Sequence, residues 1–203
     1  MDFTALLGMS FVCALGAMSP GPSLAVVLRN TISGGRTQGV LTGIGHGIGF
    51  TIYAFLAVTG LSAILIANES AFTLLQWSGA IILLWLSYNM LTYQSTGELE
   101  EHQSSGRQGF IEGFMISFLN PKILVFLVAV FSQFIDPNMA FSDRIIMATM
   151  AGLIDTIWYV LVATFLAGTS IIDKLRANST LVDRIIGSVL LLLALIIIGK
   201  SLF

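Results

Sequence analysis

The chain has 203 residues, of which 56% are hydrophobic and 10% are charged. Soluble domains contain roughly 25% charged residues, so the composition predicts an integral membrane protein whose solvent is the lipid bilayer. The net charge of -2 provides no basic face for nucleic acid. A single cysteine, Cys13, excludes an internal disulfide framework and a cysteine-based metal cluster. The N-terminal residues lack a basic n-region, so we expect no cleaved signal peptide.

Six stretches are long and apolar enough to cross a bilayer, which requires roughly 20 mostly apolar residues per helix. We therefore predict an all-α integral membrane protein with six transmembrane helices. The predicted helices are, in chain order, Phe3–Leu28, Gly39–Ile66, Ala71–Leu91, Gly109–Ile135, Ile145–Ala167 and Ile185–Phe203.

Polar segments separate these helices. Arg29 and Arg36 flank a predicted Gly34-Gly35 loop, and residues 93–108 form a polar linker. The last charged loop is predicted to contain Asp173, Lys174, Arg176, Asp183 and Arg184. The chain is thus one transmembrane domain, 1–203, in which the linker 93–108 separates two halves, 1–92 and 109–203.

Each half contains three predicted helices, and an odd number places the halves in opposite orientations if they are repeats. This arrangement predicts the inverted 3+3 repeat of many secondary transporters. His46 in helix two and Asp155 in helix five correspond at an offset of 109 residues. Lys and Arg are concentrated in loops one, three and five, which predicts that these loops are cytoplasmic and that both termini lie outside.

Helices one and four are interrupted by prolines, at Ser19-Pro20-Gly21-Pro22-Ser23 and at Asn120-Pro121-Lys122. Proline lacks the backbone N–H and breaks a helix. Pro22 and Pro121 suit the first turn of a new half-helix, while Ser19 and Asn120 are candidate N-caps or polar site walls. Such a break exposes N–H groups and a positive dipole end, which favour a carboxylate. The alternative is a kink that only shapes packing.

Three ionisable residues lie within the predicted helices that flank these breaks. Lys122 is expected near mid-membrane, where it should face a cavity, or alternatively extend to an interface. Asp155 could bind a substrate ammonium, bind a proton, or pair with Lys122. His46 lies among glycines whose spacing, Gly39/Gly43/Gly47 and Gly45/Gly49, permits close helix packing. A packed, hydrogen-bonded histidine is therefore the favoured interpretation of His46.

The sequence contains no Walker loop, metal-ligand cluster or GxSxG motif, and no evident nucleophile–base pair. We therefore expect neither an enzyme nor an ATP-driven pump, and we expect no cofactor and no bound metal.

Two motifs resemble the signatures of the LysE/RhtB amino-acid exporter family. The first comprises Ser19-Pro20-Gly21-Pro22, Gly35-Arg36-Thr37-Gln38-Gly39, Gly43 and Gly47. The second comprises Gly113-Phe114, Phe118-Leu119-Asn120-Pro121-Lys122 and Phe131-Ser132-Gln133-Phe134-Ile135, and Asp155 and Trp158 are similar to the family's acidic membrane position. The resemblance implies a multi-pass exporter of amino acids or close derivatives in the bacterial inner membrane, energised by the proton gradient.

The resulting hypothesis is a proton antiporter with its substrate site at the two breaks. The predicted substrate-binding residues are Ser19, Pro20, Gly21, Pro22, Asn120, Pro121, Lys122 and Asp155. Asp155 is also the predicted proton-coupling residue. The rival hypothesis is a small membrane channel or scaffold without a saturable substrate site. The partners expected for a transporter are an amino acid, protons and lipid, and a homo-oligomer is one open alternative for its assembly.

Overall fold

The computed structural model describes residues 3–19, 21–92, 109–136, 138–166 and 178–202, and these residues form helices without any strand. The helices are α1 (Phe3–Met18), α2 (Pro22–Ala67), α3 (Glu69–Thr92), α4 (Gly109–Phe118), α5 (Pro121–Phe131), α6 (Phe141–Leu161), which a π-helical turn at Val162–Leu166 extends, and α7 (Ser179–Leu202).

Both predicted interruptions are present. The axis turns by 58° between Phe3–Met18 and Pro22–Ile32, and by 56° between Gly109–Phe118 and Lys122–Phe131. New helices begin at Pro22 and Pro121, in the first-turn positions where a missing N–H removes no hydrogen bond. The predictions of two broken helices and of prolines starting their second halves are confirmed.

The predicted Gly34-Gly35 loop is absent, because α2 continues through it with a kink. Only Gly35 departs from helical geometry inside α2, with a φ of 81° and a ψ of 173°. Glycine adopts positive φ at no steric cost, so one residue redirects the chain between a first arm, Pro22–Ile32, and a second arm, Gly34–Ala67. Arg29 and Arg36 therefore lie in the two arms rather than beside a loop.

The predicted starts of two other helices need correction. The helix α6 begins at Phe141, four residues before the predicted start, and α7 begins at Ser179, six residues before its predicted start. Asp183 and Arg184 consequently belong to α7 and not to the last charged loop. A carboxylate such as Asp143 is stabilised in the first turn of a helix by the helix dipole, so hydropathy alone placed these starts too late.

Two described helices, Gly34–Ala67 and Phe141–Phe165, are each long and apolar enough to cross a bilayer, and the two bent pairs bring the number of candidate spans to four. The protein is therefore an all-helical membrane protein in the part of the chain that the structure describes. The six-helix inverted repeat and the membrane orientation stay predictions. The linker 93–108 and the predicted loop residues Asp173, Lys174 and Arg176 lie outside the described residues.

Glycines bring the second arm of α2 against two different helices. A Cβ added at Gly45 would collide with the carbonyl oxygen of Phe110 in α4, and one at Gly49 would lie 2.9 Å from the carbonyl oxygen of Phe114. Gly43 faces α6 instead, where an added Cβ would lie 3.2 Å from the backbone of Tyr159. The predicted close packing is confirmed, and it places the second arm of α2 between α4 and α6.

A polar cluster joins the first arm of α2 to α4 and to the second arm. Arg29 Nη2 donates to Glu112 Oε2 at 2.5 Å, and Asn30 Nδ2 donates to the same oxygen at 2.9 Å. Asn30 Nδ2 also donates to Thr42 Oγ1 at 3.0 Å. Asn30 is fully buried, so these bonds fix how the two arms and α4 lie relative to one another.

Candidate functional site

A cavity lies between the two helix breaks and the middle of the second arm of α2. It contains about 710 Å³ of space outside the protein atoms, counting its open mouth. Its lining residues come from α1, both breaks, α2, α5, α6 and α7: Cys13, Gly16, Ala17, Ser19, Gly21, Pro22, Ser23, His46, Phe50, Asn120, Lys122, Ile123, Phe126, Asp155, Tyr159 and Leu190.

Three side chains in the cavity wall form a continuous hydrogen-bonded chain. His46 Nδ1 lies 2.6 Å from Asp155 Oδ2, and His46 Nε2 lies 2.8 Å from Ser23 Oγ. His46, Asp155 and Ser23 are 1%, 3% and 8% exposed. An ionised Asp155 can only accept a hydrogen bond, so in that state Nδ1 carries a hydrogen.

The neutral form of His46 is then a donor at Nδ1 and an acceptor at Nε2, and Ser23 donates its hydroxyl hydrogen to Nε2. A protonated His46 donates from both nitrogens, and Ser23 accepts. The chain therefore accommodates both protonation states of the imidazole without moving a heavy atom.

Tyr159 completes the surroundings of His46. Its ring packs edge-on against the imidazole, with centroids 4.6 Å apart, and it lines the same cavity. Tyr159 follows Asp155 by four residues, a spacing that places both side chains on one face of α6. The structure therefore adds Tyr159 to the cavity wall, where the sequence predicted no site residue.

Most of the predicted site residues meet at this cavity. Its wall includes Ser19, Gly21, Pro22, Asn120, Lys122 and Asp155. Pro121 begins α5 beside it, and Pro20 lies outside the described residues. Lys122 lines the cavity, as expected, and its role at a substrate stays a prediction.

The two breaks present different groups to the cavity. At α5, Asn120 Oδ1 accepts from the Lys122 N–H at 2.9 Å, while the N–H groups of Ile123 and Leu124 donate to the Asn120 carbonyl. Asn120 is thus an N-cap, as predicted, and these donors are already used. Gly21 provides no side-chain cap for α2. At the second break, the positive charge presented to the cavity therefore comes from the Lys122 side chain. At the first break, it comes from the N-terminal end of α2.

Ser19 is a wall of the site and not a cap. The N-cap position of α2 belongs to Gly21, which corrects the capping alternative for Ser19. The Ser19 Oγ is buried and has no hydrogen-bond partner among the described residues. Buried hydroxyls are normally hydrogen-bonded, so this oxygen is available to a molecule in the cavity.

The structure corrects two further expectations. Asp155 pairs with His46 and not with Lys122, although His46 is also the packed, hydrogen-bonded residue that its glycine-rich context predicts. A nucleophile–base pair was not evident in the sequence, yet Ser23, His46 and Asp155 have the hydrogen-bonding order of a Ser-His-Asp triad. The signal for the His46–Asp155 pair was the matched position of the two residues in the two halves. Ser23 carried no such signal beyond its place after the break.

The comparison with known proteins identifies the family. The family model described as LysE type translocator matches residues 14–201. The chain belongs to this family. Its members among curated relatives include the threonine efflux protein of Escherichia coli K12, which is 28% identical over 174 residues that cover 79% of this chain and 81% of the relative. The family resemblance inferred from the two break motifs is therefore confirmed.

Other relatives of this LysE type translocator are named only as membrane proteins. The uncharacterized membrane protein YahN of Escherichia coli K12 is 26% identical over 187 residues, 90% of this chain and 84% of the relative. An uncharacterized membrane protein of Vibrio cholerae is 31% identical over 140 residues, 68% of each chain. No solved structure matches the chain. The cavity between the two breaks is thus a candidate site in a translocator.

Proposed function

We propose that this translocator exports a neutral amino acid, or a close derivative, across the bacterial inner membrane in exchange for protons. The observation that carries the proposal is the cavity in which Lys122 and the hydrogen-bonded pair of His46 and Asp155 face the same space. A zwitterion carries one positive and one negative group, and this cavity provides a partner of opposite charge for each.

The carboxylate of the substrate would bind on the side of Lys122 and the uncapped start of α2. An ammonium side chain forms charge-assisted hydrogen bonds with carboxylates, and a helix N-terminus favours negative charge. The unpartnered Ser19 hydroxyl lies in the same wall and can donate a further hydrogen bond to the carboxylate.

The ammonium group of the substrate would bind on the side of Asp155. When His46 is neutral and Asp155 is ionised, the pair has a net charge of about -1 and attracts a cation. When His46 takes up a proton, the pair becomes neutral overall and the attraction is lost. Proton and substrate therefore compete for one buried pair, which is the requirement for antiport.

The composition of the wall favours a neutral side chain on the substrate. Among the described residues that line the cavity, Asp155 is the only carboxylate, and it is already hydrogen-bonded to His46. A lysine-like side chain would bring a second positive charge without a partner, which is costly to bury. Phe50, Ile123 and Phe126 provide apolar surface for a neutral side chain. The threonine efflux relative supports the same substrate class.

Two experiments test this function. Overexpression in cells challenged with a panel of amino acids and toxic analogues should protect against neutral members of the panel, L-threonine first. Purified protein in liposomes should then show saturable counterflow of radiolabelled L-threonine or of the protective amino acid. Protection only against lysine and arginine would contradict the neutral substrate class. Ion conductance without saturable counterflow would favour a channel over a transporter.

The order Ser23–His46–Asp155 favours a second candidate function, an intramembrane serine hydrolase, because this order activates a serine nucleophile in hydrolases. Membership in a translocator family favours transport over this candidate. A fluorophosphonate probe distinguishes them: covalent labelling of the protein that Ser23→Ala abolishes would support the hydrolase, and we expect no such labelling.

A further inference from the structure

We propose that Ser23 is a hydrogen-bond switch that transmits the protonation state of His46 to the amino acid in the cavity. The proposal rests on the proposed function and names a positioning residue that neither the family match nor the relatives' names assign. The Ser23 Oγ lies 2.8 Å from His46 Nε2 and lines the cavity. Among the described residues, the Ser23 Oγ is the only atom found to hydrogen-bond with His46 Nε2.

A hydroxyl has one hydrogen to donate and two lone pairs that accept. With His46 neutral, the hydrogen of Ser23 points at Nε2, and both lone pairs of its oxygen are left to accept from a donor in the cavity. Ser23 then presents an acceptor to the cavity, which suits a substrate ammonium group.

With His46 protonated, Nε2 becomes a donor and uses a lone pair of Ser23. Because the Nε2–H bond now points at the Ser23 oxygen, the hydrogen of Ser23 has to turn away from the imidazole and toward the cavity. Ser23 then has one lone pair fewer to accept from an ammonium group and presents a hydrogen that the ammonium group cannot accept. The hydrogen only rotates about the Cβ–Oγ bond, so no covalent bond to Ser23 is made or broken.

The charged and titratable groups around His46 fit this assignment. Asp155 and Tyr159 face the imidazole from α6, Cys13 of α1 and Lys122 of α5 line the same cavity, and Glu112 of α4 is occupied by Arg29 and Asn30. Because Nδ1 donates to Asp155 in both states, the protonation of His46 changes the hydrogen bond at Nε2. Ser23 is therefore the side chain whose hydrogen bond changes.

The sign of the pH effect follows from these two states. Affinity for the amino acid should be high while His46 is neutral and should fall as the pH decreases and His46 takes up a proton. The electrostatic part of this fall belongs to the His46–Asp155 pair and survives without Ser23. The hydrogen-bond part, about twofold to tenfold in affinity for one hydrogen bond, requires the Ser23 hydroxyl.

The test compares L-threonine binding across the pH range in the wild type, Ser23→Ala, Ser23→Thr and Ser19→Ala. We expect Ser23→Ala to lose that twofold to tenfold part of the pH dependence and Ser23→Thr, which keeps a hydroxyl, to retain it. Ser19→Ala should weaken binding by a similar factor at every pH, because Ser19 does not contact His46. Equal pH dependence in Ser23→Ala and the wild type would overturn the switch.

A second measurement, of the protonation of His46, does not depend on transport and also identifies a variant that has misfolded. Solid-state ¹⁵N NMR of histidine-labelled protein carrying His102→Gln reports the protonation of His46 alone, because the sequence has two histidines. L-threonine should lower the pH at which His46 titrates in the wild type and lower it less in Ser23→Ala. An equal displacement in both proteins would contradict the proposal. Absence of counterflow in the wild type for every amino acid would instead contradict the proposed function.

Discussion

His46 Nδ1 lies 2.6 Å from Asp155 Oδ2, although 109 residues separate the two side chains in sequence. The pair is almost inaccessible to solvent, with His46 1% and Asp155 3% exposed. Two ionisable groups within membrane-spanning helices are costly unless each has a partner. Here the partners are each other, together with Ser23 at the far nitrogen of the imidazole.

The first prediction concerns this pair as a unit. Asp155→Asn and His46→Gln should each abolish proton-driven export, and the double variant should be no worse than either, because groups that act together show non-additive losses. Amino-acid protection of growing cells and counterflow in liposomes measure this. The matched control is Asp136→Asn, which replaces an exposed carboxylate in the segment between α5 and α6 and should transport normally. Additive losses in the double variant would show that the two residues act separately.

Lys122 is predicted to set the affinity for the substrate carboxylate. Removing one charged hydrogen-bonding partner typically costs about 1.5–3 kcal/mol, so Lys122→Gln should raise the KM for counterflow about tenfold or more. Lys122→Arg keeps the charge and should recover part of the affinity. An unchanged KM in Lys122→Gln would remove Lys122 from the site.

Close packing of α2 against α4 is predicted to tolerate no side chain at Gly45. The added Cβ of Gly45→Ala would collide with the Phe110 carbonyl, and overpacking of this kind costs about 1–3 kcal/mol. The melting temperature in detergent should fall. The same substitution at Gly60 is the matched control, because a Cβ there meets no atom within 4 Å. Similar melting temperatures for the two variants would contradict the packing.

Asn30 is predicted to stabilise the junction between the two arms of α2 and α4. Asn30 is buried, and its side-chain amide donates hydrogen bonds to Thr42 and Glu112, so Asn30→Ala should destabilise the protein by about 1–3 kcal/mol. Thermal unfolding in detergent measures the loss. Asn138→Ala, at an exposed position between α5 and α6, should change the melting temperature little. If Asn138→Ala lowered the melting temperature as much as Asn30→Ala, the hydrogen bonds of the Asn30 side chain would not explain the effect.

Much of the fold could be predicted from the sequence, because the proline ring itself interrupts one helix and favours the start of the next. Pro22 and Pro121 start new helices wherever the chain continues in helical form, and the glycine spacing around His46 indicates close helix contacts. The kink at Gly35 was predicted as a loop, because propensity cannot distinguish a loop from one residue of positive φ within a continuing helix. Hydropathy likewise placed the starts of α6 and α7 too late.

The site could be predicted only in part, for a physical reason. Composition identifies which charges within apolar helices need partners, and this singled out Lys122 and Asp155, which both line the cavity. The choice of partner depends on helix rotation and on crossing geometry, which a sequence does not specify. Asp155 therefore pairs with His46, and the expected alternative was Lys122. Ser23 is an ordinary residue type whose position beside Nε2 follows from the bend of the first break.

The most direct test of the account is the luminal pH of liposomes that contain the purified protein and L-threonine, or the amino acid that the protection assay selects. On dilution into medium without that amino acid, its efflux should drive protons inward, so the lumen should acidify in the wild type and not in Asp155→Asn. Efflux of the amino acid at unchanged luminal pH, or equal acidification in Asp155→Asn, would contradict the claim that substrate and proton compete for the His46–Asp155 pair.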